Sequence, residues 1–324
     1  MKKLVKAVVV GMIVSALCGS LFSCKKKDAG TAGSDTIRVA MVLKTLSSQY
    51  WQLVAAGAKD AAAKNNVDLI LLGPPSEDAV EQQVNMLLDV LTQNPAVLCV
   101  SPSQPPTVVN ALNQAKSKNI PVILVDTPMP DGYTDYATFI GTTNKVAGKQ
   151  GGELLVKTLA AGSNVFLIEG APGNPTMTDR VDGAEEVLRA GNMTIVGRQP
   201  AYSDRERAYT VTQNALQANP NIDAVFAGND ESALGALRAL QQAGKSNTKV
   251  IGFDGTSDAL NSILEDGMFA SIAQKPYDMG RLAVEKAIEL TAGKTIEKRI
   301  DSGTDVVTKE NAQTLLDFVS SVGK

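Results

Sequence analysis

Histidine is absent from this chain of 324 residues. That removes the commonest general base and the commonest metal ligand together. Cysteine is scarce: Cys18 and Cys24 fall in the N-terminal leader, and only Cys99 remains for the folded part. No disulfide can form within that part, whatever the compartment. Cys99 lies in the apolar run 96–100 with no histidine to activate it, so it reads as an inert core thiol rather than a nucleophile. Aromatic residues make up only 4%, which makes any adjacent aromatic pair conspicuous. Charge is near balance at −3, with no basic excess to suggest nucleic acid. Cofactor fingerprints are missing as well. Gly148, Gly151 and Gly152 have the wrong spacing for a dinucleotide loop. Gly244-Lys245-Ser246 lacks the earlier glycine of a phosphate loop, since Ala239 stands in its place. The residues offer no metal site and no cofactor site.

What is present begins with an export signal. Lys2, Lys3 and Lys6 precede a nearly unbroken apolar run over 7–22. The run is shorter than the ~20 apolar residues that span a bilayer. It ends in Leu21-Phe22-Ser23-Cys24, which resembles a lipobox, with Phe22 bulkier than the small residue usual there. Residues 1–23 are therefore expected to be a lipoprotein signal peptide. Cys24 is the expected lipidation site, which places the protein at the periplasmic face of a bacterial membrane or at the cell surface. Residues 25–35 carry Lys, Gly, Ser, Thr, Ala and Asp without apolar period, as a solvated tether does.

From residue 36 onward, short β-rich runs alternate with helical periodicity. The pattern predicts strands at 37–43, 68–72, 96–101, 122–126, 164–169, 194–199, 224–227 and 250–254. Helices are predicted at 50–65, 79–92, 107–117, 146–160, 182–190, 205–218, 232–243 and 258–266. Such alternation implies parallel sheets with right-handed crossovers, and the continuous apolar strands imply helices on both faces. The chain is long enough for two such doubly wound α/β lobes.

In open parallel sheets, ligands bind beyond the carboxyl ends of the strands. The segments to read are therefore 44–51, Ser101, Asp126-Thr127, 171–180, Tyr202-Ser203, Asn229-Asp230, Phe253-Asp254 and Gln274. They are rich in amide, carboxylate, hydroxyl and guanidinium groups, which suit vicinal hydroxyls, and in rings that suit C–H faces. Capping and turn formation compete for the same residue types: Asn229 and Asp254 would also serve as helix or turn caps. Arg180 could instead pair with Asp179 or Asp182 at the surface, and Tyr50 and Trp51 could face the core.

Several spaced motifs tip that balance. VFAGNDESALGALRAL at 225–240, VIGFDGT at 250–256, IAQ at 272–274 and MVLKTLSSQYW at 41–51 occur with Asp126 and Asp179-Arg180 in collinear order. Together they resemble the ribose/allose-type periplasmic binding proteins over nearly all of the chain after the leader. The resemblance implies the type I periplasmic binding fold, two similar lobes joined by a three-strand hinge. It implies one lobe of 36–142 with 275–302, and a second of 143–274 with 303–324. It also implies roles. Tyr50 and Trp51 pack on a sugar ring, Asp126 accepts from its hydroxyls, and Arg180, Asn229, Asp254 and Gln274 close from the second lobe and hinge. Phe253 adds an apolar wall, and Lys44, Ser48, Ser101, Thr127, Thr142 and Tyr202 complete the candidate set. The function implied is capture of an aldose or sugar alcohol by a monomeric importer subunit. Its partners would be an ABC permease and, as a second class, a chemoreceptor; the lipid is its only membrane contact.

Departures from the ribose pattern bear on the ligand. Lys44 stands where a small hydroxyl residue is usual, which is closer to allose-binding relatives. Thr127 replaces an arginine and thereby removes a planar fork beside Asp126. Ser101 stands where asparagine is common. Ribose in its standard pose is therefore not expected, while hexoses, other aldoses and polyols stay open. A transcription repressor of this fold would need a helix-turn-helix where the leader stands. Asp126 with Asp254 could be imagined as a glycosidase pair, yet hydroxyl ligation needs no chemistry, and no enzymatic activity is expected. The alternative that stays open is a same-fold binder of an autoinducer, a nucleoside or an amino acid, the last clamped between Arg180 and Asp254.

Overall fold

A computed structural model describes residues 36–322. The leader, Cys24 and the tether to residue 35 lie outside the described residues. The first sheet draws on β1 (Arg38–Val42), β2 (Asp68–Leu72), β3 (Val97–Val100), β4 (Val122–Val125), β5 (Thr138–Gly141) and β11 (Arg299–Asp301). The second draws on β6 (Asn164–Glu169), β7 (Thr194–Pro200), β8 (Ala224–Ala227), β9 (Lys249–Asp254), β10 (Ala270–Gln274) and β12 (Thr304–Val307). The helices are α1 (Gln49–Lys64), α2 (Val80–Thr92), α3 (Pro105–Ser117), α4 (Asn144–Thr158) and α5 (Pro175–Ala190). They continue with α6 (Arg205–Ala218), α7 (Asp230–Gln242), α8 (Ser257–Leu264), α9 (Pro276–Thr291) and α10 (Ala312–Ser321).

The sheet orders are β11-β5-β4-β3-β1-β2 and β12-β10-β9-β8-β6-β7. Each is wound the same way from its first strand, so each reverses direction beside that strand, at β1/β3 and at β6/β8. Such reversals open the crevice where ligands sit in this architecture. All pairings are parallel except β10 with β12. The central strands VLCV and VILV are buried along their whole length, because helices cover both faces. Cys99 is fully buried, and burial pushes its thiol up to about 12, as an inert core residue requires.

The chain passes between the sheets after β5, after β10 and between β11 and β12. Helix α4 packs on α5 of the second sheet, whereas α9 returns to pack on α1 of the first.

Sequence periodicity located eight strands and eight helices in the right order, with ends displaced by a residue or two except at the start of α5. It missed β5, β10, β11, β12, α9 and α10. The strands β5 and β11 are short and carry Thr, Gly, Arg and Asp, so they lack an apolar run to announce them. One boundary matters for the site. Helix α5 begins at Pro175, not near residue 182, because Asn174 caps it by accepting from the Met177 amide at 3.3 Å and proline fits the first turn. Arg180 therefore stands on a helix rather than in the loop where the strand-end reading placed it.

Candidate functional site

From the second lobe the site is built around Arg180, which is only 3% exposed. Close approach of α4 to α5 sets its position. A Cβ on Gly148 would fall 2.0 Å from the Arg180 carbonyl oxygen, and one on Gly183 would fall 2.1 Å from that of Lys145. Of the glycines that fail as a dinucleotide loop, Gly148 and Gly152 are thus contact points with α5, whereas Gly151 makes room for the Phe226 ring of β8. Arg180 donates from Nε to Asn144 Oδ1 at 2.9 Å, and from Nη1 to the Gly228 carbonyl at 2.9 Å and to Asp254 Oδ1 at 3.1 Å. Its guanidinium lies 3.9 Å from the centre of the Phe253 ring. Phe253 is fully buried, so its ring supports the arginine from below as a cation–π partner. The alternative of a surface pair with Asp179 or Asp182 is not realised. Arg198 takes Asp182 instead, at 2.7 Å.

Asp254 ends β9 with φ +119°, and Gly255 follows with φ +78°. Besides Arg180, its Oδ1 accepts from Gln274 Nε2 at 2.7 Å. Burial pushes the Asp254 carboxyl up to about 7 against the opposing charge of Arg180, and the nearby charge of Asp230 adds to the rise. Asn229 caps α7 by accepting from the Ser232 amide at 3.1 Å and is 7% exposed, so capping and a place in the site coexist in one side chain.

The first lobe contributes Asp126, which follows β4 in a left-handed conformation at φ +64°. Its carboxylate accepts from the Tyr50 hydroxyl at 2.8 Å and the Thr127 hydroxyl at 2.8 Å. Lys44 Nζ lies 3.7 Å from the same carboxylate, in a pair whose side chains are each 6% exposed. Burial, then the charges of Asp126 and Asp254, hold the Tyr50 phenol well above its usual range, so it stays a donor. Trp51 is 2% exposed, meets Tyr50 edge-on at 5.0 Å and donates from its indole to Glu77 Oε1 at 2.6 Å. Ser101 Oγ is buried without a partner among the described residues.

The two faces meet at the crossings. Gln274, at the end of β10, accepts on Oε1 from the Thr142 hydroxyl at 2.8 Å, and the Tyr50 hydroxyl lies 3.3 Å away. Thr142 in turn lies 3.4 Å from the Ser302 hydroxyl. Those three residues come from the three segments that pass between the sheets. Farther along, Gln49 of α1 grips Ser257 of α8 twice. Its Nε2 donates to Ser257 Oγ at 2.7 Å, and its Oε1 accepts from the Ser257 amide at 2.8 Å.

The structure thus gathers Tyr50, Asp126, Thr127, Thr142, Arg180, Asp254 and Gln274 into one hydrogen-bonded cluster, with Lys44 beside Asp126 and Asn229 on the neighbouring strand end. Two predicted residues stand apart. Ser48 is exposed at the start of α1 and makes no capping bond. Tyr202 is 50% exposed, with Arg207 4.8 Å from its ring centre, and lines a surface depression with Pro200 and Glu206. Both Tyr202 and Ser203 adopt left-handed backbone, at φ +57° and +59°, before Asp204 caps α6. Sequence reading overlooked Asn144, Glu77, Gln49, Ser257 and Ser302. Asn144 carried a findable signal, a polar residue at the mouth of a crossing; the other four have surface-type identities that no period distinguishes. Among the described residues, no three carboxylate or thiol side chains come together as a metal cage.

Two doubly wound lobes whose strand ends meet in a polar, hinge-linked cluster define a solute-binding protein of the type I periplasmic kind. The chain belongs to the family described as periplasmic binding protein domain, whose profile matches residues 39–295. It is 33% identical over 282 residues to the ribose import binding protein of Escherichia coli, covering 87% of this chain and 93% of that one. It is 31% identical over 266 residues to the D-allose-binding periplasmic protein of the same organism, covering 79% and 86%. Among solved structures it resembles an ABC transporter periplasmic solute binding protein from Actinobacillus succinogenes with bound D-allose. The TM-score there is 0.82 at 28% identity, over 86% of this chain and all of that one.

Proposed function

We propose that this protein is the sugar-capturing subunit of an ABC importer, holding a neutral monosaccharide or polyol between its lobes and presenting the closed form to a membrane permease. The observation that carries this reading is the convergence of Asp126, Arg180, Asp254 and Gln274 with Tyr50 at the carboxyl ends of both sheets. Carboxylates and amides accept and donate to vicinal hydroxyls, and the aromatic pair Tyr50–Trp51 offers a face for sugar C–H groups. The orphan hydroxyl of Ser101 and the underused ammonium of Lys44 leave polar capacity for the ligand on the first lobe.

Neutrality follows from pairing. Arg180 and Asp254 are bonded to each other, and Lys44 faces Asp126, so an amino acid would have to separate ion pairs to find its own. Residues 36–142 with 275–302 act as one lobe and 143–274 with 303–324 as the other, with Thr142, Gln274 and Ser302 linking the hinge segments. Ligand favours the closed state by bonding both lobes at once. The protein works by binding alone, as a monomer without catalysis. It is exported and held to the membrane through lipid on Cys24, so a Cys24→Ser protein should leave the membrane fraction.

The test is a thermal-shift screen of the leaderless protein against aldoses, ketoses, sugar alcohols, nucleosides and amino acids. Ligand at about 100 times its Kd stabilises a fold by ~2.7 kcal/mol. A shift from D-allose, another aldose or a polyol that Asp126→Ala abolishes is the expected result. Stabilisation by nucleosides or amino acids alone would overturn the sugar reading and leave the fold intact.

A further inference from the structure

Asp230 is fully buried at the start of α7, and no cation reaches it among the described residues. Every partner is a neutral donor. Its Oδ2 accepts from the Thr256 amide at 2.8 Å and the Thr256 hydroxyl at 3.1 Å, and its Oδ1 accepts from the Ser271 hydroxyl at 2.7 Å. Ser271 Oγ in turn accepts from the Gly255 amide at 3.1 Å. One carboxylate therefore ties down, directly or through Ser271, two successive amides of the turn that follows β9. That turn is strained at Asp254, which holds φ +119° where L residues are rarely found, while Gly255 takes its φ of +78° without cost. Strain of this kind persists only where the surroundings over-determine it.

The strand gives way to admit this carboxylate. A Cβ on Gly252 would lie 2.3 Å from Asp230 Oδ1, so a glycine in the interior of β9, a costly place for one, makes the room. What the turn carries explains the arrangement. Asp254 faces Arg180 and Gln274 in the cleft, and Ser257, just beyond the anchored Thr256, exchanges two bonds with Gln49 of the other lobe, accepting one on Oγ and donating one from its amide.

We propose that Asp230 is a positioning residue for ligand capture: it holds the turn 254–257 so that Asp254 faces the cleft and Ser257 meets Gln49, without itself touching ligand. The inference rests on the sugar-binding reading for its purpose, but not for its test. A carboxylate does here what an amide could do geometrically, and the difference is charge. Asp254 is faced by Arg180 from α5, Asp230 from α7, and Asp126 and Tyr50 from the first lobe. Of these, Asp230 and Asp126 oppose its ionisation. Burial pushes Asp230 itself up to about 6, held back by the donors from Thr256 and Ser271.

The experiment compares wild type, Asp230→Asn, Asp230→Ala and Ser271→Ala by three measurements. Carbon-13 NMR follows the Asp254 carboxyl in ligand-free protein, amide exchange follows Gly255 and Thr256, and calorimetry follows D-allose and D-ribose. Asp230→Asn should keep both amides protected while moving the Asp254 titration to lower pH, a change that a purely structural role would not produce. Asp230→Ala should release both amides and weaken sugar binding ~10-fold or more. If Asp230→Ala fails to fold, Ser271→Ala should release Gly255 and leave Thr256 protected. An Asp254 titration unchanged in Asp230→Asn, or Gly255 and Thr256 amides still protected in whichever of Asp230→Ala and Ser271→Ala folds, would overturn the proposal. Should neither sugar bind wild type, the sugar reading fails, while the titration and the exchange still decide the role of Asp230.

Discussion

The two lobes meet the cleft with one buried cation each, and the two are treated in opposite ways. Arg180 is held on two of its three nitrogens, Nε by Asn144 and Nη1 by Gly228 and Asp254, with Phe253 beneath it. Lys44 is equally buried, yet its nearest carboxylate oxygen lies 3.7 Å away, and the Trp51 ring lies 5.6 Å off. A guanidinium is a rigid fork that can be fully satisfied by a prebuilt frame, whereas an ammonium on a flexible stem keeps its donors free to turn. The second lobe therefore holds its cation in a prebuilt frame. The first holds its cation loosely, near a Ser101 hydroxyl with no partner among the described residues, and this contrast predicts that ligand choice falls to the first lobe and rigidity to the second.

The largest expected contrast comes from one substitution made on both sides. Arg180→Met strands Asp254, Asn144 and the Gly228 carbonyl and should lower stability by about 3 kcal/mol, with sugar binding lost. Lys44→Met removes a poorly compensated buried charge. Ligand-free stability should hold or rise by about 1 kcal/mol while affinity falls roughly 10-fold. Denaturant titration of the two proteins checks this, and equal losses would dissolve the distinction between the lobes.

A pH series sharpens the same contrast. In the fold Asp254 holds its proton more tightly than an exposed aspartate does. The stability it contributes is thus fully present below the ordinary aspartate range and is lost as pH rises through about 7. Melting of ligand-free protein should show a decline on the order of 2 kcal/mol between pH 5 and pH 8, shallower in Asp254→Asn, where Asp230, raised in the same direction, still contributes. Sugar hydroxyls that donate to the ionised carboxylate work in the other direction, so affinity should weaken as pH falls below about 7.

The smallest effect belongs to the contact that joins the two faces. Gln49→Ala removes both bonds to Ser257 and should raise the dissociation rate about 5-fold while leaving association nearly unchanged. Stopped-flow measurement with the sugar found by thermal shift checks it, and an unchanged dissociation rate would mean that closure does not depend on this grip.

Much of this was legible in the chain before any coordinates. Apolar runs buried on both faces announced β1, β3, β4, β6, β8 and β9, and collinear motifs announced Asp126, Arg180, Asp254 and Gln274 as one group. Where legibility failed, the reason was local. Asn174-Pro175 is a helix start that extends α5 back past Arg180, and residues 171–180 read as a loop because their apolar period is weak. Tyr202 has the right chemistry and the right strand end, but two left-handed residues precede a cap on Asp204, and its ring ends against Arg207 at the surface. Short, polar strands such as β11 form only because β5 offers them an edge.

By itself the sequence determined the class of fold, the strand ends where function would gather, and most of the residue types gathered there. Burial patterns are local properties, and hydrophobic period writes them directly into the chain. Only the tertiary structure decided which polar groups satisfy one another: that Gly148 lets Arg180 in, that Gly252 makes room for Asp230, and that Thr142, Gln274 and Ser302 meet across three crossings. Those pairings join residues far apart in the chain, and hydrogen bonding depends on tenths of an ångström that only the packed backbone sets.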